Sequence, residues 1–410
     1  MSNDTDLTIV DGGGVASALG FHAGGVFAGI KTPGEDKYDL GLLYSELDCA
    51  VAGTFTRNSI VSPSVEVSRS VVGRGSARAV IANSGCANCS VGEQGLIDAR
   101  DAAAIGAEQL GVEAEEVLVA STGVIGVELP MNLIRDHAPR IDVRDGDDAG
   151  LEFAKAIMTT DTHPKHIAVR YEASDGSKVT VGGCAKGAGM IHPNMATMLC
   201  FISTDADVEQ SFLQSTLSDA VTVSFNQIDI DGDQSTNDTV ALLANGASGS
   251  PRVAGGDKDS ERFASAVKYV NRYLAIELAR DGEGARHLIT AVVEGAESDV
   301  DARKAARSVV TSLLVRTAVY GRDPNWGRIM MAVGKTGIPL VESKIDIFVN
   351  GIQIVHEGKA IAYNVQSVIA ALDRPEVELR VDLNRGDGFG EAWGCDLTEE
   401  YVVFNSAYTT

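Results

Sequence analysis

Residues 185–206, AKGAGMIHPNMATMLCFISTDA, change character halfway along. The first part is a loop of small residues, Lys186-Gly187-Ala188-Gly189, in which glycines permit backbone courses that a Cβ resists. Pro193 fixes its own φ and biases His192 towards an extended conformation. Beyond Met195 comes an almost unbroken apolar run, Met198, Leu199, Cys200, Phe201 and Ile202, which predicts a strand buried on both faces. Thr197 stands at the seam, where a rigid element can hold a hydroxyl that still faces an open loop.

A threonine hydroxyl is a weak nucleophile until a base activates it, and its own α-amine is one such base. That amine exists only if the chain is cut between Ala196 and Thr197. The hydroxyl can make the cut by attacking the Ala196 carbonyl in an N-to-O acyl shift that water completes. The new amine would titrate near ~7.7–8, close enough to neutral to accept the hydroxyl proton. The plain alternative is that threonine stands here because β-branched residues suit strands.

Other stretches along the chain are unusually specific. They are GFHAGGVFAGIK (20–31), TFTRN (54–58), NSG (83–85), STGVIG (121–126), TTDT (159–162) and SFNQIDIDGDQSTNDT (224–239). DGEG (281–284), GRDPNWGRI (321–329), CDLT (395–398) and the terminal YVVFNSAYTT (401–410) follow. Together with KGAGMIHPNMATML, in this order and over almost the full length, they resemble the ornithine acetyltransferase family, the glutamate N-acetyltransferases of arginine biosynthesis.

The resemblance implies an α/β fold, a four-layer α-β-β-α sandwich of the N-terminal-nucleophile type with a smaller α+β C-terminal domain. It implies self-cleavage at Ala196–Thr197 into an α fragment (1–196) and a β fragment (197–410). The β fragment would complete the sandwich to about residue 295, add the smaller domain over about 296–400, and end in a docked tail, 401–410. Two fragments of each kind would assemble as a heterotetramer. The implied reaction is ping-pong: Thr197 takes the acetyl group of N2-acetylornithine and passes it to L-glutamate. Thr122 and Gly123 are the implied oxyanion hole. Thr160, Lys186, Thr197, Glu283, Asn405 and Thr410 are the implied substrate contacts, with Thr159 the equal of Thr160 in sequence. The tail departs from the family at Ala407 and Thr409, where an acidic residue and an arginine are usual. No metal or nucleotide cofactor is implied, and whether acetyl-CoA serves as a second donor stays open.

Composition sets the outer limits. A chain of 410 residues exceeds what one hydrophobic core usually supports, so two packed units or one large sandwich with an appendage are expected. A formal net charge of −23 argues against nucleic acid or an anionic membrane as partner. The N-terminal MSNDTDLTIVDGGG has no basic or apolar leader region, and no apolar run reaches ~18 residues, so a cytoplasmic location is expected. The six cysteines make no disulfide framework. Cys86-x-x-Cys89 lacks the second pair of a zinc site and departs from the family, so no role is expected for it. Asp229-x-Asp231-x-Asp233 fails as a calcium loop, because Gln234 and Val240 stand where glycine and glutamate are needed.

Local patterns predict helices over Gly95–Leu110, Gly150–Met158, Glu209–Ala220, Ser260–Arg280, Asp301–Val315 and Asn364–Leu372. Strands are predicted at Asp39–Ser45, Cys49–Phe55, Ala79–Ala82, Val117–Ala120, Ala168–Glu172, Lys178–Val181, His287–Val293 and Val377–Leu383. A hairpin is predicted around Asn350-Gly351. His192 is read as structural. Three other functions stay open: an amidase or aminopeptidase on the same scaffold passing the acyl group to water, an uncut homologue acting as a binding protein, and an acetyltransferase of a secondary pathway.

Overall fold

The computed structural model describes residues 7–31, 37–192 and 198–407. Its strands are β1 (Thr8–Val10), β2 (Phe21–Val26), β3 (Leu40–Phe55), β4 (Ser76–Cys86), β5 (Val117–Val124), β6 (Lys165–Glu172), β7 (Lys178–Lys186) and β8 (Leu199–Thr204). β9 (Ile228–Asp229), β10 (Thr239–Ala244), β11 (Leu288–Ala296), β12 (Asp346–Val349), β13 (Ile352–His356), β14 (Lys359–Ala360), β15 (Glu376–Asp382) and β16 (Gly388–Cys395) complete them. The helices are α1 (Pro63–Arg74), α2 (Gln94–Leu110), α3 (Met131–His137), α4 (Asp147–Ile157), α5 (Gln210–Thr222) and α6 (Lys258–Arg280). They continue as α7 (Asp299–Val310), α8 (Leu313–Tyr320), α9 (Trp326–Gly334), α10 (Val365–Leu372) and α11 (Glu399–Ala407).

The first sheet runs β1-β6-β7-β8-β10-β3-β4-β5, with β2 also paired to β3. The two strands expected at Asp39–Ser45 and Cys49–Phe55 are one long strand, β3, with a defect between them. Its register against β4 slips between Tyr44 and Cys49, and extra residues of this kind bend a strand. The first half pairs with β2 and β4, the second with β10. Bent there, the sheet folds into two halves that share an inner core: Leu43, Val80 and Leu118 from one half meet Cys184, Phe201 and Leu243 from the other.

The outer faces take helices. α2 and α3 cover Ile81, Val117 and Val119 with Ala102, Ala103 and Ile134. α5 and α6 cover Val181, Ile202 and Leu242 with Leu217, Phe263, Val267 and Leu274. The order helix, sheet, sheet, helix is the four-layer sandwich expected. β8 is buried along its whole length, as its apolar run predicts. A second sheet, β14-β13-β12-β15-β11-β16-β9, joins the α6 core through Leu288 and Trp393 and packs its other face on α7–α10.

Some elements were not legible. α1 begins at Ser62-Pro63, where the Ser62 hydroxyl accepts from Ser64 N and proline occupies the first turn. The single helix expected over Asp301–Val315 is two, because Ser312 leaves the helix and caps a new one, accepting from Val315 N. The Asn350-Gly351 hairpin forms as expected, with φ of 44° and 79°.

Candidate active site

Parallel strands β4 and β5 end side by side, Ser84 beside Thr122 and Gly85 beside Gly123. Gly123 has φ 129°, and a Cβ there would lie 2.3 Å from the Gly85 carbonyl carbon, so no larger residue fits. On the facing half-sheet, β7 ends at Lys186, paired with Leu199 of β8. The bend in β3 brings these ends together: Lys186 Nζ donates to Thr122 Oγ1 at 3.0 Å. A hydroxyl that accepts from an ammonium keeps its own proton free for another acceptor. Burial lowers the Lys186 pKa, against the opposing pull of Asp161.

Two further groups close the same pocket. Glu283 follows the end of α6 and receives the Thr160 hydroxyl at 2.7 Å and Asn405 Nδ2, from α11, at 2.9 Å. A Cβ on Gly189 would come within 2.5 Å of the Glu283 carboxyl, so the glycine leaves room for it. One pocket is lined by Thr122, Gly123, Thr160, Lys186, Glu283 and Asn405. Thr159 lines it too, but its N–H goes to Asp161, whereas the Thr160 hydroxyl joins the Glu283 cluster. Ala196, Thr197 and Thr410, the expected cleavage and contact residues, lie outside the described residues, as does Tyr408.

Several lining residues were missed. Asp231, which the sequence offered only as part of a failed calcium loop, accepts from Met190 N at 2.5 Å and Ile191 N at 2.9 Å and anchors the glycine loop. Burial raises its pKa to about 6. Asn237 spans the two half-sheets, donating to Ala87 O and Ser121 O. Next to it, Asp238 is fully buried, accepts from Met198 N at 3.1 Å and, among the described residues, leaves Oδ2 without a hydrogen bond. Burial pushes its pKa well up. Both stand in the SFNQIDIDGDQSTNDT motif, which was the signal available. His192 bonds Asp229 at 2.8 Å, as a structural histidine would. Cys86 and Cys89 are buried free thiols, and burial pushes Cys86 up. Among the described residues no group of three or more His, Cys, Asp or Glu is set to hold a metal ion, and no helix is long and apolar enough to cross a membrane.

A bent α/β sandwich with a buried cation against a strand-end Thr-Gly turn suits one class of protein, the enzymes of acyl transfer, whose reactions develop an oxyanion. The ArgJ family profile matches residues 22–410, and the chain belongs to the ArgJ family. It is 45% identical over 398 residues to the arginine biosynthesis bifunctional protein ArgJ of Symbiobacterium thermophilum, covering 97% of this chain and 99% of the other. The protein of that name from Dehalococcoides mccartyi is 44% identical over 406 residues, covering 99% and 100%. The crystal structure of arginine biosynthesis bifunctional protein ArgJ from Bacillus halodurans is 39% identical with a TM-score of 0.50, covering 51% of this chain and 98% of that one. The chain is thus an acyltransferase of arginine biosynthesis.

Proposed function

We propose that the chain cuts itself between Ala196 and Thr197 and then carries acetyl from N2-acetylornithine to L-glutamate on the Thr197 hydroxyl. The observation that carries this is the Lys186–Thr122 contact at 3.0 Å, a buried cation beside a donor turn, in one pocket with Glu283. Lys186 pairs with the α-carboxylate that donor and acceptor share. Glu283, both oxygens already hydrogen-bonded, presents negative charge to an ammonium group of the substrate. Thr122 Oγ1 and the Gly123 N–H stabilise the oxyanion formed when Thr197 Oγ attacks the acetyl carbon. The C–N bond of acetylornithine then breaks, and the Thr197 amine gives the departing nitrogen the proton it took from the hydroxyl. Glutamate's amine reverses these steps and leaves as N-acetylglutamate. Thr160, Asn405 and Thr410 complete the contacts to the substrate's polar ends, with Thr159 the alternative to Thr160.

Two observations favour the two-fragment form. Almost the whole Bacillus halodurans chain aligns to about half of this one. The Ala196–Thr197 bond also joins two strands, β7 and β8, that are held by pairing whether or not the link is intact. The proposed units are the sandwich to about residue 295 and the α+β part over about 296–400, in a cytoplasmic heterotetramer of two α and two β fragments. The bifunctional naming of the relatives favours acetyl-CoA as a second donor. The deciding experiment feeds [acetyl-¹⁴C]acetylornithine to the purified protein. Label should settle on the β fragment and move to N-acetylglutamate when glutamate is added. Acetate released as fast without glutamate would make the protein a hydrolase.

A further inference from the structure

The pocket is braced from behind by a buried ion triad. Lys165, at the start of β6, donates to Asp161 Oδ1 and to Asp281 Oδ2, each at 2.6 Å, with its side chain out of solvent. Each carboxylate has a second task. Asp161 also accepts from Gly187 N at 2.7 Å, beside Lys186. Asp281 accepts from Thr162 N at 3.0 Å and from the Thr162 hydroxyl, and stands two residues before Glu283. His163 lies on its outer side, with Nδ1 at 3.5 Å. Three chain segments that carry Thr160, Lys186 and Glu283 therefore meet on one ammonium group.

We propose that Lys165 is a positioning residue for the substrate pocket: by bridging Asp161 and Asp281 it sets the spacing between Lys186 and Glu283. Lys165 is not among the residues lining that pocket, so it acts through its partners. The inference rests on the reading of Lys186 and Glu283 as the carboxylate and ammonium contacts. Stability alone is a poor reason for the triad, because a buried ion pair rarely outperforms apolar residues of similar volume. Geometry is the better reason. Lys165 satisfies Asp161 from one side, so Asp161 does not draw Lys186 away from Thr122, and the loop carrying Glu283 is tied to the same point. Asp161, Lys165 and Gly187 precede the Ala196–Thr197 bond while Asp281 and Glu283 follow it, so the brace spans the cut and outlasts it.

The test uses the full, matured chain, once the parent has transferred acetyl from acetylornithine to glutamate. Lys165→Met combined with Asp281→Asn removes the lysine together with one of its carboxylates and leaves the net buried charge unchanged. This variant should mature, keep kcat within about threefold, and raise KM for both substrates about tenfold or more. Thr162→Val changes an exposed side chain and no charge, yet loosens Asp281. It should raise both KM values about two- to threefold with kcat unchanged. A folded double variant with parental KM values, or Thr162→Val with parental KM values, overturns the proposal. If the double variant does not fold, Thr162→Val alone decides. A parent that transfers no acetyl would sink the functional reading instead.

Discussion

At the scale of single residues, the proposed chemistry divides into a nucleophile, a donor turn and fixed charges. Thr197→Ala should leave one uncut chain of 42.9 kDa on a denaturing gel and no acetyl transfer. If the same bond is still cut in a cell-free preparation, self-processing is wrong. Thr122→Ala removes one proposed oxyanion donor and should cost about 10²–10³ in kcat, with a smaller change in KM. A parental kcat would take Thr122 out of the site. Gly123→Ala would force a Cβ to 2.3 Å from Gly85, and the parted strand ends should abolish turnover. The charges also set a pH dependence. Burial alone would push Asp161 up, but Lys165, Lys186 and the Gly187 N–H outweigh it and hold it at about 2. A folded value below the ordinary 3.8 means that Asp161 stabilises the fold above that pH and loses its contribution as pH falls towards 2. Acid titrations followed by circular dichroism should accordingly be steeper below pH 4 for the parent than for Asp161→Asn.

Among the elements, β3 and α11 matter most for the site. The bend in β3 is what lets Thr122 on one half-sheet meet Lys186 on the other. α11 buries none of its residues fully. Its Val402 and Val403 are exposed, yet it is pinned by polar contacts, Asn405 to Glu283, Glu399 to Tyr320 and Glu400 to Arg286. Such a helix closes a pocket without carrying the fold. Deleting residues 399–410 should leave maturation intact and raise KM for both substrates, read from initial rates of the cleaved enzyme. Uncut protein from that deletion would mean the tail is needed earlier. The split between α7 and α8 turns on a single hydroxyl, and Ser312→Ala should cost about 1 kcal/mol in urea unfolding.

For the whole molecule, the order of strands bears on what cleavage can do. In the first sheet β8 and β10, from the second half of the chain, lie between β7 and β3, from the first half. Two fragments so interleaved cannot part without breaking the β7–β8 ladder on one side of the β8–β10 pair and the β10–β3 ladder on the other. The matured protein should therefore elute as one species in native gel filtration and yield two bands only under denaturing conditions. Separate elution of the fragments in native buffer would contradict the interleaving.

The residue pattern alone determined most of the regular elements, because the apolar spacing in β8 or α6 is a local property of the chain. The motifs also determined which residues to suspect, Thr122, Gly123, Thr160, Lys186, Glu283 and Asn405 among them. Only the tertiary structure decided that these six line one pocket, and that the Thr160 rather than the Thr159 hydroxyl bonds Glu283. It alone revealed what Lys165, Asp231 and Asp238 do, because each has a partner far off in sequence: Asp281, Met190 and Met198. The physical reason is that a buried charge or a strand bend acquires meaning from what packs against it, and those neighbours are chosen by the closure of the sheet.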